Sequence, residues 1–251
     1  MRWVVGAAEA VGSRYLTNIV AATPTIAARF PADRTVTIHN FPIAEELINT
    51  EQTVPYQERP FHIAYVGAIS RLRGAEEMVA AMLHLTQIYP LAILNLVGSY
   101  RPESLKNELE LMASDGQVAL WGQQDRPFVR DILGQARAGL VILHPTQSYL
   151  DSYPVKLFEY MAVGIPVIAS DFPLWRQIVE GAECGLLVDP ENPQAIADAI
   201  AWLFDHPSEA EAMGKRGQQA VMAQYNWSSE AQKLIDLYRQ LLPPSRQHTS
   251  N

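Results

Sequence analysis

A chain of 251 residues with a formal net charge of −8 lacks the basic balance expected of a nucleic-acid binder, and is long enough for a sizeable core. One cysteine, Cys184, excludes an internal disulfide framework and fits a reducing compartment. No apolar run reaches the roughly 18 residues of a membrane-spanning helix, and no basic region leads into an apolar core at the N-terminus, so a soluble, cytoplasmic protein is expected.

In chain order, residues 35–39 read as a strand, followed by a turn at Asn40-Phe41-Pro42 and a polar linker to Pro60. Strand-like and helix-like segments then alternate: strand 62–67, helix 74–89, strand 92–97, helix 103–114, strand 117–121, helix 127–137 and strand 139–143. Helix 154–162, strand 166–169 and a strand near 185–188 follow. Three helices, 193–205, 208–224 and 229–242, precede a polar tail after Pro243. Short apolar strands alternating with amphipathic helices predict an α/β fold with a doubly wound, Rossmann-like parallel sheet. Ligands of such sheets bind beyond the carboxyl ends of the strands. The sequence puts the turn 67–74, Gly98, Trp121-Gly122, His144-Pro145 and the loop at 151–154 there.

The stretch from Asp151 to Ser170 carries the most information. Asp151 or Ser152 can accept the free N–H groups at the start of the helix, and Pro154 suits a first turn. Gly164 and Pro166 stop that helix before the apolar strand Val167-Ile-Ala169. Lys156 and Glu159, three residues apart, share one helix face. A helix N-terminus attracts phosphate through its free N–H groups and dipole, and a nearby carboxylate can accept hydrogen bonds from the diol of a ribose. Together these groups suit a nucleotide diphosphate joined to a sugar.

Alternative uses stand beside these. Glu159 alone would be a solvated helix acid, and Asp151 a cap, which is compatible with sugar contact. Arg73 alone would be a solvated turn residue. His144 is as readily a hydrogen-bonded structural histidine as a ligand contact, and Trp121 fills core more readily than it stacks on a base. Cys184 reads as a small core or turn residue.

The acid at 151, Glu159 eight positions on, and the following Tyr160-Met-Ala-x-Gly164-x-Pro166-Val resemble glycosyltransferase family four. Those enzymes are retaining, use nucleotide sugars and have the two-domain GT-B architecture. The family's motif has Glu at both ends and Phe-Gly in its spacer. Asp151 is therefore one methylene short, and Tyr153-Pro154 replaces the usual pair. The form Pro154-x-Lys-Leu-Phe-Glu-Tyr-Met-Ala162 is similar to a subgroup that assembles bacterial surface polysaccharides. The turn 67–74 resembles a Gly-Arg-x(4)-Lys-Gly segment, with Arg73 at the Lys position and Ala68 where Arg is usual; Arg71 is the nearest replacement cation.

The resemblance implies Asp151 on the donor sugar and Glu159 on the ribose, with Arg73 and Lys156 on the diphosphate. Gly67, Gly98, Trp121, His144, Tyr153, Pro154 and Val155 would complete the donor site. No protein nucleophile is expected. The sequence has no Asp-x-Asp pair and its six His are scattered, so neither a metal nor a cofactor is expected, the nucleotide sugar being a substrate. Phosphate-loop, dinucleotide-fingerprint and nucleophile-elbow motifs are all absent.

GT-B enzymes carry an acceptor domain and a donor domain, and only one Rossmann-like domain fits here. Residues 1–45 resemble a remnant of the acceptor domain, 18–40 being its last strand–helix–strand. Residues 46–225 read as the donor domain and 226–251 as a crossing helix with a tail, whose apolar face includes Leu234, Leu237, Tyr238 and Leu241. The chain thus reads as the donor-binding half of a hexosyl-type transferase, partnered by a separate acceptor-domain polypeptide through which peripheral membrane association would come. The alternatives are a non-catalytic nucleotide-sugar-binding subunit, a truncated enzyme fragment, and an epimerase or phosphorylase of the same architecture.

Overall fold

The computed structural model describes residues 11–48, 54–113 and 116–242. The chain falls into two compact units, one drawn from its two ends and one comprising Pro42–Tyr225. In the first, strands β1 (Ile19–Ala21) and β2 (Thr35–Thr37) pair in parallel. They flank a short helix, α1 (Pro24–Ala27), whose start is fixed by Pro24 and by Thr23 Oγ1 accepting the Ile26 N–H at 3.2 Å. The strand expected at 35–39 ends at Thr37, because β1 offers three residues to pair with.

The larger unit runs β3 (His62–Val66), α2 (Ala75–Leu85), β4 (Ile93–Val97), α3 (Leu105–Met112), β5 (Val118–Gly122), α4 (Arg126–Gln135) and β6 (Ala138–Val141). It continues α5 (Gln147–Leu150), α6 (Val155–Ala162), β7 (Val167–Ser170), α7 (Pro173–Gly181), β8 (Gly185–Val188), α8 (Pro193–Asp205) and α9 (Pro207–Ala223). Its six strands form one parallel sheet in the order β5-β4-β3-β6-β7-β8. This is the doubly wound sheet that the alternation predicts. The order reverses between β3 and β6, so the crevice beyond their carboxyl ends is where a ligand is expected.

Parallel sheets are covered on both faces, which is why their strands are continuously apolar. Every residue of β6 and β7 is buried. Helix α2 packs on α8, and α6 packs on α9. Two glycines allow the second contact and its seat on the sheet. A Cβ on Gly214 would stand 2.1 Å from the Gly164 carbonyl oxygen, and one on Gly139 would stand 2.3 Å from the Tyr160 ring.

Several boundaries differ from expectation for local reasons. Helix α2 begins after Gly74, which is left-handed at φ 68°, and ends at Leu85, leaving turns before Pro90. Helix α4 begins at Arg126 because Asp125 accepts the Phe128 N–H at 3.0 Å. Helices α5 and α7 were not anticipated; α7 is brief, starts at a proline and buries only Trp175, Ile178 and Val179. The last helix, α10 (Trp227–Leu241), belongs with the chain-end unit. There buried Glu230 accepts the His39 N–H at 2.8 Å and a Lys233 bond at 2.6 Å. On α10 Leu237 is buried, while Tyr238 and Leu241 are exposed. The expectations for residues 1–10, 49–53, 114 and the tail from 243 lie outside the described residues. Among the described residues no helix is long and apolar enough to cross a membrane.

Candidate functional site

Beyond β3 the chain turns through Gly67 at φ 126°, a conformation side chains rarely adopt. A Cβ on Gly98, at the end of β4, would stand 1.9 Å from the Gly67 carbonyl oxygen, so the two loops meet backbone to backbone. A Cβ on Gly67 would press on Lys156 Nζ at 3.2 Å. Between this turn and the start of α6 lies a cavity of about 500 Å³. Gly67, Arg73, Tyr153, Pro154, Val155, Lys156 and Glu159 all line it, so the structure brings together most of the residues singled out from sequence.

Lys156 is the unusual member. It is buried, yet among the described residues its Nζ has no hydrogen-bond partner, and it lies 3.4 Å from the centre of the Tyr65 ring. Burial holds its pKa well below the usual lysine value; the charge of Arg73 lowers it further, and Glu159 opposes both. Arg73 lies over the Tyr149 ring at 5.9 Å. The start of α6 adds more unspent donors, because its N-cap is Pro154 and no side chain caps it. The expected cap is corrected here. Asp151 Oδ2 accepts from Gln147 at 3.0 Å, and Ser152 Oγ donates to the Tyr149 carbonyl at 2.9 Å. A wall with two cations and an uncapped helix N-terminus can receive an anion.

Glu159 is buried and accepts a hydrogen bond from Arg126 Nη1 at 2.8 Å. Arg126 was not singled out from the sequence. Its signal was the run Asp125-Arg126-Pro127, a helix start at the carboxyl end of β5, on the same edge of the sheet as the motif loop. Tyr65 and Tyr149, in a strand and a short helix, carried no such signal.

The model of the family described as glycosyl transferases group 1 matches residues 49–220, more than half of the chain. The chain belongs to that family. Over 187 residues this group 1 glycosyltransferase chain is 29% identical to a D-inositol 3-phosphate glycosyltransferase of Corynebacterium urealyticum, covering 71% of this chain and 43% of that protein. Its structure is similar to a sucrose-phosphate synthase from Thermosynechococcus elongatus, with TM-score 0.73 and 28% identity, covering 92% of this chain and 61% of that one. It is similar in fold to the Anabaena protein HepE solved with UDP and glucose, with TM-score 0.77 and 15% identity, covering 93% and 66%. The chain therefore spans less than half of the first relative's length and under two thirds of the other two.

The remaining residues singled out in this glycosyltransferase chain stand outside the cavity lining. Asp151 ends α5, next to the lining residue Ser152. His144 donates its backbone N–H to Leu72 at 3.0 Å, and its Nε2 lies 3.0 Å from Glu77 Oε1. Trp121 is not core filling: it is 43% exposed, donates to Asn95 Oδ1 at 2.9 Å and sets its ring edgewise against Phe128. Arg71 does not replace the cation absent at Ala68, since it pairs with Glu76 at 2.9 Å and with Glu108. Cys184 is buried, and burial pushes its thiol up to about 12. Among the described residues no three His, Cys, Asp or Glu are grouped to hold a metal ion.

Proposed function

We propose that this chain is the nucleotide-sugar-binding part of a retaining, family-four, hexosyl-type glycosyltransferase of the cytoplasm, serving bacterial cell-surface polysaccharide or glycoconjugate synthesis. One observation carries the reading: a buried lysine amine without a hydrogen-bond partner faces a cavity at the switch point of the sheet. Burying an unpaired cation is costly, and an anionic ligand would supply the missing partner. In this reading Lys156, Arg73 and the first N–H groups of α6 hold the diphosphate, while Glu159 accepts from the ribose hydroxyls. Asp151 is assigned to the sugar.

As the bond from the sugar carbon to the diphosphate breaks, negative charge grows on the leaving oxygens. Fixed cations and helix amides stabilise that charge without reorganising. The acceptor attacks from the side on which the diphosphate departs, with the diphosphate assisting, so configuration is retained without a protein nucleophile. The HepE structure with UDP and glucose supports the choice of ligand class by its fold. The chain spans 43% of the inositol-phosphate glycosyltransferase's length, and the acceptor is proposed to be bound outside the donor cavity.

Thermal-shift measurements with UDP-, GDP- and ADP-sugars in excess chelator test the proposal, since a ligand that binds only the native state raises its stability. One of them should stabilise the protein, and Glu159→Gln should weaken that ligand about tenfold to a hundredfold, as expected for a lost hydrogen bond to a charged group. No shift with any nucleotide, or equal calorimetric affinities of two equally folded proteins, would reject the assignment.

A further inference from the structure

The feature left unused is the guanidinium that reaches Glu159 from the start of α4. Arg126 is fixed between Asp125, which caps the helix, and Pro127. Its side chain is 58% exposed, but the carboxylate that it meets is only 11% exposed. Nη1 donates to Oε1 at 2.8 Å, and Nη2 lies 3.8 Å from Glu46 Oε2 on the outer side. Lys156, one turn earlier on the same helix, is closer in sequence yet does not bond Glu159; its amine sits on the Tyr65 ring. Among the described residues the hydrogen-bonded counter-charge of Glu159 is therefore Arg126. The bond takes one carboxylate oxygen, and no described group hydrogen-bonds Oε2.

A buried carboxylate without a partner would swing toward solvent, which removes a fixed acceptor. A guanidinium held on one oxygen prevents this and leaves the second oxygen open. We propose that Arg126 is a positioning residue that fixes Glu159 as an acceptor with Oε2 open to the cavity, so that discrimination between ribose and deoxyribose depends on Arg126. This inference rests on the proposed role of Glu159 toward the ribose.

The test uses whichever of UDP, GDP or ADP binds best, with its 2′-deoxy and 2′,3′-dideoxy counterparts, titrated calorimetrically into the wild type, Arg126→Ala, Arg126→Lys and Glu159→Gln. The exposed side chain and the retained cap leave the fold of Arg126→Ala intact, which circular dichroism and thermal melting check. The wild type should prefer the ribonucleotide over the dideoxy form by about tenfold or more, as one charge-assisted hydrogen bond would give. Arg126→Ala should erase most of that preference while changing dideoxy affinity less than about twofold, and Arg126→Lys should restore part of it. An unchanged preference in Arg126→Ala alongside its loss in Glu159→Gln overturns the positioning role alone. Equal weakening of all three nucleotides also overturns it, since Arg126 would then touch the diphosphate. No ribose preference in the wild type rejects the role of Glu159 itself.

Discussion

Arg59, Arg137 and Lys156 are equally buried, each at 8% exposure, at opposite ends of the same sheet. Before the amino ends of β3 and β6, Arg59 donates to the Val54 and Ala136 carbonyls at 3.1 and 3.0 Å, and lies over the Tyr56 ring. Arg137 donates to the Arg59 and Gln57 carbonyls at 2.8 and 3.1 Å and lies 4.5 Å from the centre of the Phe61 ring. The Lys156 Nζ, beyond the carboxyl ends, has no hydrogen-bond partner among the described residues. Burial of a cation is thus no mark of a site by itself. Where its donors are satisfied by carbonyls the cation is part of the fold; where they are left over, as at Lys156, the proposed function gives them an anionic ligand.

The largest expected effect is on stability. Arg137→Ala strands two carbonyl acceptors and removes the packing on Phe61, which should cost about 2–5 kcal/mol. Nucleotide affinity of the folded fraction should not change. Urea denaturation provides the measurement, and a loss below about 1 kcal/mol would show that these bonds do not hold the amino ends of the strands together.

Lys156→Met should act with the opposite sign. Replacing an unpartnered buried ammonium by an apolar chain of similar length removes a desolvation penalty, so stability should stay level or rise by up to about 2 kcal/mol. Affinity for the nucleotide should fall about tenfold or more. A variant that is destabilised like Arg137→Ala and still binds would place Lys156 among the architectural cations.

The alternation of apolar strands and amphipathic helices made the sheet legible, because strand and helix periods differ and Gly and Pro punctuate them. The carboxyl-end loops followed from that order. The missed pieces are those governed by tertiary contact. Helix α7 is short and buries just three side chains, so it had little periodic signal. The uncapped start of α6 was invisible because Asp151 and Ser152 are both good caps in sequence; the local turn at α5 diverts them to Gln147 and to the Tyr149 carbonyl. Arg126 lies 33 positions from Glu159, and no local pattern reports a pairing that the sheet creates. Trp121 was weighed as core on residue type alone, whereas its place at the end of edge strand β5 leaves it partly exposed.

The smallest effect, and the sharpest on Lys156, is the pH dependence of binding. In the free protein burial, joined by the charge of Arg73, holds the Lys156 pKa well below its ordinary value. A bound diphosphate brings opposite charge to the amine and raises that pKa. Between the two values the complex carries a proton that the free protein lacks, so binding takes up protons and affinity falls as pH rises. One proton limits the fall to about tenfold per pH unit, and it is read above about pH 7.5, where the nucleotide phosphate no longer titrates. Folding responds in the other direction. The unfolded chain protonates this lysine below about pH 10.4, so the penalty on the native state shrinks, and stability rises, as pH climbs toward that value. Calorimetry in buffers of different ionisation enthalpy counts the protons. Uptake of a fraction of a proton that disappears in Lys156→Met supports the receptor role, and release, or uptake that persists in the variant, would assign the titration to another group.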